Sequence, residues 1–242
     1  MKIALVAIIV VLLIAVAVVL TLALTDGFDK EPTPTPTATA TPTPTPMPTP
    51  TPIPTPTPTV LFSDDFSDPS SGWDTYSWEE GAVFYKNGWL HIREEASYEG
   101  SEGSYAGQHF TDFVLEVETK LVGGTDDNWH LVECRSDRSD KNYYDFGISA
   151  DGYYDIVKFV NGDRIALAGP TYSTHINKGL GVTNIIHIEC IGNTLSLSVN
   201  GHLLTEVTDY TFTGGDIALA TDSLSGFQFT EVAFDNIVVT AP

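Results

Sequence analysis

Aromatic and charged residues between positions 129 and 158 have the chemistry expected of a sugar-binding site. Flat aromatic faces stack on pyranose rings, and charged side chains beside them can bond the ring hydroxyls. The candidate ligand-binding residues of this kind are Trp129, Arg135, Tyr143, Asp145, Tyr153 and Lys158. A site requires these side chains to reach one surface, which depends on how the surrounding strands alternate.

Alternation divides the first tyrosine pair of this region between two faces. In the run NYYDFGIS, successive side chains point to opposite faces of a strand. Tyr144 therefore shares a face with the apolar Phe146 and Ile148. This pattern predicts that Tyr144 lies in the core and that Tyr143 and Asp145 lie together on the other face.

The second tyrosine pair, Tyr153 and Tyr154, gives an ambiguous pattern. Ile156 favours one face as the buried one, whereas Val157 and Phe159 favour the other. Two adjacent strand residues always split between faces, so one of these tyrosines belongs to the core. The sequence leaves open which one.

Paired carboxylates are the second kind of chemistry that the sequence offers. Glu116 and Glu118 in the run FVLEVETK share a strand face, and retaining glycoside hydrolysis needs two carboxyl groups about 5–5.5 Å apart. Such a pair is more often a solvated outer face, which is the interpretation we prefer. The six histidines are scattered, and none lies beside a Ser or Cys nucleophile signature.

Acidic residues near both ends of the compact region form a candidate calcium site. Asp64 and Asp65 lie at its start and Asp235 lies near its end. The first and last strands of a β-sandwich commonly pair, which would bring these oxygens together, and Ca²⁺ takes about six to eight oxygen ligands. The alternative is that the aspartates cap turns through local backbone hydrogen bonds.

The two cysteines, Cys134 and Cys190, both fall inside apolar, strand-like runs. Outside the cell a disulfide between them could persist, but two buried thiols fit the pattern equally well. The sequence contains no CxxC or Cys/His cluster, so a zinc site of the usual spacing is not expected.

Short alternating runs separated by turn residues make up the compact region, as at residues 113–120 and 184–191. The breaks include Asn-Gly dipeptides at 87–88, 161–162 and 200–201, which favour hairpins because they accept positive φ. No stretch shows a convincing 3.6-residue apolar period. The sequence therefore predicts an all-β fold of two packed antiparallel sheets.

An uncharged apolar run, residues 3–24, precedes the rest of the chain. As a helix it would reach about 33 Å, enough to cross a bilayer core, and it exceeds the apolar region of a cleaved signal. Lys2 before the run and the acidic residues after it place the N-terminus in the cytoplasm. We predict that residues 1–25 are a single-pass signal anchor in the cell membrane, with the C-terminal domain extracellular; a cleaved signal is the alternative.

A Thr/Pro-rich linker, residues 26–60, follows the apolar run. Between 32 and 58 proline occupies nearly every second position, which excludes helix and sheet and favours an extended polyproline II rod. At roughly 3.1 Å per residue this stretch reaches on the order of 80 Å. We interpret it as a disordered, extracellular spacer.

The chain is strongly acidic, with 11 Lys and Arg against 32 Asp and Glu and a formal charge of −21. Phosphate backbones would be repelled by such a surface, so no nucleic-acid partner is expected. The acidity fits a solvated surface, or alternatively a cation-binding one.

Three segments together resemble the concanavalin A-like lectin/glucanase superfamily: LFSDDFSDPSSGWD, NYYDFGISADGYYDIVKFVNG, and GNTLSLSVNGHLLTEV followed by FTEVAFDNIVV. Within it they are most similar to laminin-G-like and 3-keto-disaccharide hydrolase-type jelly rolls. The resemblance implies a jelly-roll domain over residues 61–242 and puts the aromatic candidates in its concave sheet. Glucanases of this fold carry an E-x-D-x-x-E strand motif; here the third carboxylate is missing and Lys120 follows the pair, so no recognisable catalytic motif is present.

These observations predict a membrane-anchored extracellular module that binds a glycan or another cell-surface polymer, or mediates adhesion, without enzymatic activity. Possible Ca²⁺ is the one cofactor implied. Two alternatives remain: a glycoside hydrolase-like enzyme of the same fold, and a structural cell-envelope protein that binds other proteins. The enzyme alternative requires a carboxylate pair on the concave face, and the glycan-binding interpretation requires exposed aromatic residues there.

Overall fold

The computed structural model describes residues 58–95, 101–139, 141–223 and 229–242. The predicted anchor at residues 3–24 and the predicted linker up to residue 57 lie outside these residues. Within the described ranges, no helix is long and apolar enough to cross a bilayer.

The described residues form fifteen β-strands and no α-helix. The strands are β1 (Val60–Asp64), β2 (Tyr76–Ser77), β3 (Gly81–Lys86), β4 (Trp89–Glu94), β5 (Ser101–Phe110), β6 (Phe113–Gly123), β7 (Trp129–Ser136), β8 (Tyr143–Ser149), β9 (Tyr153–Val160), β10 (Asp163–Tyr172), β11 (Thr183–Ile191), β12 (Thr194–Val199), β13 (His202–Thr208), β14 (Gly215–Asp222) and β15 (Thr230–Thr240).

Two antiparallel sheets contain all of these strands. The nine-stranded sheet has the order β13-β12-β11-β6-β15-β4-β3-β2, with β1 also paired to β15. The six-stranded sheet has the order β10-β9-β8-β7-β14-β5. The prediction of an all-β, two-sheet antiparallel sandwich is confirmed.

The core lies between the two sheets and is supplied mainly by alternate residues of the central strands. On β8 the side chains that face the core are Tyr144, Phe146 and Ile148, as alternation predicts. From the facing sheet, Val117 on β6 and Ile188 on β11 join the same cluster. Each such side chain contributes about 1.5–3 kcal/mol by leaving water, so burial fixes which face of β8 turns inward.

Three tight hairpins use the Asn-Gly dipeptides that the sequence singles out. The φ angles are 54° and 78° at 87–88, 55° and 88° at 161–162, and 51° and 78° at 200–201. Two successive residues with positive φ define the turn that best matches the strand twist. These turns join β3 to β4, β9 to β10, and β12 to β13.

The first and last strands pair, as expected for a sandwich of this kind. Asp64 of β1 lies opposite Ile237 of β15. A bulge on β15 around Asn236, whose φ is 51°, locally breaks the pairing of β15 with β6. The two ends of the domain therefore meet at one place.

The two cysteines face each other across the sandwich. Cys134 belongs to β7 and Cys190 to β11, and both are buried free thiols in this structure. Their Sγ atoms are 3.0 Å apart. The sequence left open a disulfide or two buried thiols, and the structure contains two thiols. A disulfide between them would join the two sheets.

Candidate functional site

A cleft of about 590 Å³ lies on the outer face of the six-stranded sheet. Alternate residues of β7, β8 and β9 form its base, and β10 and β14 contribute to its sides. Its lining residues are Asp127, Trp129, Leu131, Asp145, Ser149, Asp151, Tyr153, Asp155, Val157, Phe159, Arg164, Pro170 and Asp222.

Strand β9 settles the ambiguity of the second tyrosine pair. Tyr153, Asp155 and Val157 face the cleft, whereas Tyr154 packs against the core with the fully buried Ile156. Val157 is buried although it lies on the outer face. The apolar character of this position therefore reflects the cleft floor, which is why the sequence pattern pointed both ways.

A glycine opens the base of the cleft. Gly147 lies on β8 two residues after Asp145, and a Cβ atom there would come within 2.8 Å of both Asp155 Oδ1 and Trp129 Cε3. Any larger residue would push these groups outward. The lack of a side chain at Gly147 thus leaves room for the indole ring and the carboxylate to lie side by side.

The apolar part of the cleft is a separate small cluster on the outer face. Trp129, Leu131 and Ala220 pack together and are nearly covered. Tyr153 is 42% exposed and meets Tyr172 edge to face at 5.7 Å. A buried apolar base beside an exposed aromatic ring is an arrangement that suits a flat ligand with apolar faces.

The polar part of the cleft is strongly acidic. Arg164 is the only cation among the described lining residues, and its Nη2 lies 2.6 Å from Asp155 Oδ2. The lining carboxylates number five: Asp127, Asp145, Asp151, Asp155 and Asp222. Ser149 donates a hydrogen bond to Asp151 at the rim.

Burial raises the pKa of three of these carboxyl groups. Desolvation is the largest cause for Asp145, whose pKa is raised well above its usual value, with further increases from Glu133 and Asp155. Desolvation raises the pKa of Asp155 to about 6 despite the ion pair with Arg164. It also raises that of Asp222 to about 6. The cleft therefore holds carboxyl groups that exchange protons near neutral pH.

A second pocket, of about 540 Å³, adjoins the cleft on the same face of the sheet. The two meet along β7 and β8, where Glu133 of the second pocket lies opposite Asp145 of the cleft. Trp78 is 58% exposed at this pocket and packs against Tyr76, with ring centroids 4.5 Å apart and the rings tilted by 35°. The Oη of Tyr76 donates to Glu102 Oε2 at 2.6 Å, which fixes the pair.

Four of the six predicted ligand-binding residues lie along these pockets. Trp129, Asp145 and Tyr153 line the cleft. Tyr143 lines the second pocket and stacks on Phe159, with ring centroids 4.6 Å apart. The structure therefore brings these side chains to one surface, as a ligand site requires.

Arg135 does not reach this surface. A bulge in the pairing of β7 with β14, together with a φ of 53° at Arg135, turns its side chain out of the alternation. The guanidinium is instead buried and donates to the carbonyl oxygens of Phe212 at 2.8 Å and Thr111 at 3.2 Å. Its placement in the ligand site is corrected: it ties together the connections beside the sheet.

Lys158 also lies outside both pockets. It alternates with Val157 and therefore turns away from the cleft, on the same side of β9 as Ile156. Its Nζ pairs with Asp209 Oδ2 at 2.5 Å and donates to Thr211 Oγ1 at 2.8 Å. The predicted ligand contact is replaced by an ion pair to the connection between β13 and β14.

Glu116 and Glu118 lie on the outer face of the other sheet. Both belong to β6, where Leu115 and Val117 supply the core side. Glu116 is solvent-exposed and lies 3.6 Å from His187 Nδ1. The preferred interpretation of a solvated outer face agrees with this placement.

The aspartates of the predicted calcium site bond to their own turns. Asp64 accepts hydrogen bonds from the Phe66 amide and from Trp73 Nε1, and Asp65 accepts two from Ser67. Asp235 accepts the amide of its neighbour Asn236. Among the described residues, no three His, Cys, Asp or Glu side chains lie together as metal ligands. A calcium site here stays a prediction.

The polar residues of the cleft that sequence reasoning missed include Asp155, Asp222 and Arg164. Asp155 follows Tyr153 by two positions, so a decision about which face of β9 is exposed would have found it. Asp222 ends β14, and Arg164 is the second residue of β10. The order of strands in the sheet brings Asp222 to this cleft, and no local pattern encodes that order, whereas Arg164 reaches Asp155 across the β9–β10 hairpin.

Residues 57–240 match the model of a family described as the 3-keto-α-glucoside-1,2-lyase-like domain. The match covers nearly the whole of the described domain and confirms the jelly-roll resemblance drawn from the sequence. None of the curated proteins matches this sequence.

Solved structures with the same fold include a carbohydrate-binding module, CBM66, from Bacillus subtilis. It is 19% identical, with a TM-score of 0.59 over 71% of this chain and 96% of its own. The catalytic domain of an endo-1,3-β-glucanase (laminarinase) from Thermotoga petrophila RKU-1 is 14% identical, with a TM-score of 0.54 over 76% and 97%. A Bacillus subtilis protein of unknown function with a galectin-like fold is 12% identical, with a TM-score of 0.57 over 75% and 96%. At these identities the likeness concerns the fold alone.

Proposed function

Because this chain belongs to the 3-keto-α-glucoside-1,2-lyase-like domain family, we propose that the cleft on its six-stranded sheet binds a carbohydrate. The observation that carries the proposal is the combination of an apolar base, an exposed Tyr153 and several carboxylates in one cleft of about 590 Å³. Aromatic faces take the C–H face of a sugar ring, and carboxylates accept hydrogen bonds from its hydroxyls. Proteins of similar fold include a carbohydrate-binding module and a glucanase, which supports the same ligand class.

A glycan array probed with the full-length chain in detergent tests this proposal. Tyr153→Ala removes the exposed aromatic face of the cleft, and we expect it to weaken binding about tenfold or more, as loss of a well-packed aromatic contact does. Tyr210→Ala is the matched control, because Tyr210 is 73% exposed and lines neither pocket. No binding to any glycan at millimolar concentration, or equal effects of the two variants, would refute the proposal.

A second candidate function is enzymatic, and the carboxylates of the cleft favour it. The enzyme alternative drawn from the sequence required a carboxylate pair on this face, and Asp145, Asp155 and Asp222 all lie there. In a 1,2-elimination from a 3-keto-α-glucoside, a base removes the C2 proton that the neighbouring ketone acidifies. The C–H electrons then form the C1–C2 double bond while the C1–O bond breaks, and the departing oxygen takes up a proton.

The cleft offers a group for each of these steps. Asp222, with a pKa of about 6, suits the base. Asp145, whose pKa burial raises well above its usual value, suits the acid, and Arg164 offers positive charge for the enolate. Incubation with p-nitrophenyl 3-keto-α-glucoside should release p-nitrophenol, and Asp222→Asn should slow release about a hundredfold or more. Absence of release by the wild type would exclude this second function.

We further infer that residues 3–24 hold the protein in the cell membrane and that the Thr/Pro linker displays the domain outside. The length and apolar character of the run and the proline spacing support this arrangement. Alkaline extraction of membranes should leave the full-length chain in the pellet, and protease added to intact cells should release the domain. A full-length chain that is extracted by alkali would contradict the anchor.

A further inference from the structure

The charges around the cleft are unbalanced in a way that restricts its ligand. Five carboxylates line it and Arg164 is the one described cation there. The adjoining pocket adds three more carboxylates, Asp74, Glu102 and Glu133, of which Asp74 pairs with Arg138 at 3.3 Å. Arg164 is already engaged with Asp155 at 2.6 Å. A neutral sugar would leave most of this negative charge uncompensated, and an acidic sugar would add to it.

Asp145 gives a second and independent observation. Its side chain lies in the floor of the cleft and is only 5% exposed, and its Oδ1 has no hydrogen-bond partner among the described residues. A buried carboxylate oxygen without a partner destabilises the folded state by about 1–3 kcal/mol or more, because it loses its hydrogen bonds to water and forms none in the protein. An acceptor in this position is suited to a donor that arrives with the ligand.

The groups that face Asp145 are themselves acidic. Glu133 on β7, Asp155 on β9 and Asp222 on β14 all raise its pKa, and only Arg164 on β10 acts in the opposite direction. The largest cause is desolvation by burial. A cation placed among these groups would offset both the burial and the mutual repulsion.

We propose that the cleft selects glycans that carry free amino groups, with the ammonium group donating to Asp145 Oδ1. This inference rests on the proposed carbohydrate-binding function and names its ligand class. An ammonium group has three N–H donors and is satisfied by two or three acceptors. That demand is smaller than the six to eight or so oxygens that Ca²⁺ takes. The aromatic ring of Tyr153 lies in the same cleft, where the sugar ring of such a ligand would stack.

Isothermal titration of the full-length chain in detergent with four hexameric probes tests the inference. The probes are β-1,4-linked hexaglucosamine, its fully N-acetylated form, hexagalacturonate and a hexalysine peptide. We expect hexaglucosamine to bind about tenfold or more tightly than the N-acetylated form, since a hydrogen bond between charged groups accounts for such a ratio. Hexagalacturonate should not bind. The advantage of the amine should shrink as salt is added.

Variants of the cleft give the residue-level test. Asp145→Asn keeps the shape but removes the charge, and it should reduce the preference for the amine about tenfold while changing binding of the N-acetylated hexamer less than about threefold. Asp222→Asn is a second variant in the same cleft. Glu206→Gln is the matched control, because Glu206 is an exposed carboxylate on β13 of the other sheet. Glu206→Gln removes one negative charge far from the cleft and should leave the affinities for hexaglucosamine and for its N-acetylated form unchanged.

The remaining outcomes would each overturn the inference, and one of them would also refute the proposed function. Equal binding of the amine and N-acetylated hexamers, or equal effects of Asp145→Asn and Glu206→Gln, overturns the inference and leaves carbohydrate binding standing. Hexalysine binding as tightly as hexaglucosamine, with the same loss in Asp145→Asn, assigns the cleft to basic peptides and overturns it. Failure to bind any glycan on the array refutes the proposed function as well.

Discussion

At the scale of single residues, Asp145 is a buried carboxyl group in an unfavourable electrostatic environment. Its carboxyl is buried, its Oδ1 is unpartnered, and acidic neighbours raise its pKa well above the usual value. A carboxyl group whose pKa is higher in the folded than in the unfolded chain makes folding less favourable as pH rises. That deficit begins near the unfolded pKa of about 4 and is complete above the folded pKa.

Asp145→Asn should therefore stabilise the protein at neutral pH. We expect the free energy of unfolding to rise by about 1–3 kcal/mol at pH 7.5, because asparagine fills the same space without a charge. The gain should shrink toward pH 4, where the wild-type carboxyl is protonated in both states. Urea unfolding followed by circular dichroism measures both values.

The comparison between variant and wild type separates the contribution of Asp145 to the pH dependence of stability from the contributions of other titrating groups. Burial lowers the pKa of His130 to about 3, so its contribution is fully present above about 6.5 and is lost as pH falls below that value. This loss affects both proteins equally. Asp163→Asn, at an exposed carboxylate at the start of β10, controls for the general loss of negative charge. A destabilised Asp145→Asn at pH 7.5 would show that the carboxylate is paired in solution.

At the scale of strands, the shape of the cleft depends on the absence of a side chain on β8. Gly147→Ala places a Cβ within 2.8 Å of Asp155 Oδ1 and Trp129 Cε3, a distance that real contacts do not allow. Both groups must shift toward the open side. We expect a stability loss of about 1–3 kcal/mol and a loss of ligand affinity of about tenfold.

Fluorescence distinguishes this local displacement from general damage. Gly147→Ala should shift the emission of Trp129, and the shift should vanish in a Trp129→Phe background, where the other three tryptophans remain. Unchanged emission together with unchanged affinity would mean that the backbone of β8 absorbs the extra atom. The cleft would then be more adaptable than its packing indicates.

The two cysteines give a prediction about the contact between sheets. Refolding with reduced and oxidised glutathione should join Cys134 to Cys190, with two protein thiols oxidised and one glutathione disulfide reduced to two thiols. The Sγ atoms are already 3.0 Å apart, and the bridge would close a loop of 56 residues between sheets. The chain-entropy model gives a stabilisation of about 4 kcal/mol for such a loop.

Mass spectrometry and thermal unfolding together test this prediction. The oxidised protein should lose two hydrogen atoms and unfold at a higher temperature than the reduced form. Cys134→Ala should show neither effect under the same conditions. Persistent free thiols after refolding in oxidising buffer would show that the core packing holds them too far apart.

Alternation allowed much of the strand structure to be predicted, because burial on one side fixes the face of every residue. Tyr144, Phe146 and Ile148 lie in the core for this reason. Arg135 could not be placed in the same way, since the bulge that turns it aside depends on the pairing of β7 with β14. The side chain of Lys158 follows the alternation of β9 once the outer face of that strand is known. Both faces of β9 carry apolar residues, so the sequence did not show which face is the outer one.

The composition of the cleft was less predictable than the strands around it. Carboxylates from β8, β9 and β14 meet there only because the sheet order places β7 between β8 and β14. A long stretch of chain separates β14 from its sheet neighbour β7, and hydrophobic patterning carries no information about which strands pair. Composition did predict the excess of negative charge, although not its concentration on one face.

At the scale of the whole molecule, the formal charge of −21 should make stability depend on salt. Like charges repel in the compact state, and added salt screens this repulsion. Between about 0.01 M and 1 M NaCl the Debye length falls from about 30 Å to about 3 Å. We expect the free energy of unfolding at pH 7.5 to increase by an amount on the order of 1 kcal/mol.

The same titration near pH 4.3, the isoelectric point of the sequence, is the internal control. With the net charge close to zero, salt should change stability little there. A decrease in stability with salt at pH 7.5 would mean that local ion pairs outweigh the general repulsion. The partly buried pair of Lys158 and Asp209 is the strongest candidate for such a pair, and Lys158→Met would then reduce the salt effect. An increase at pH 7.5 that vanishes near pH 4.3 would instead show that the acidic surface is maintained at a cost in stability, as expected if its charge serves to attract a cationic ligand.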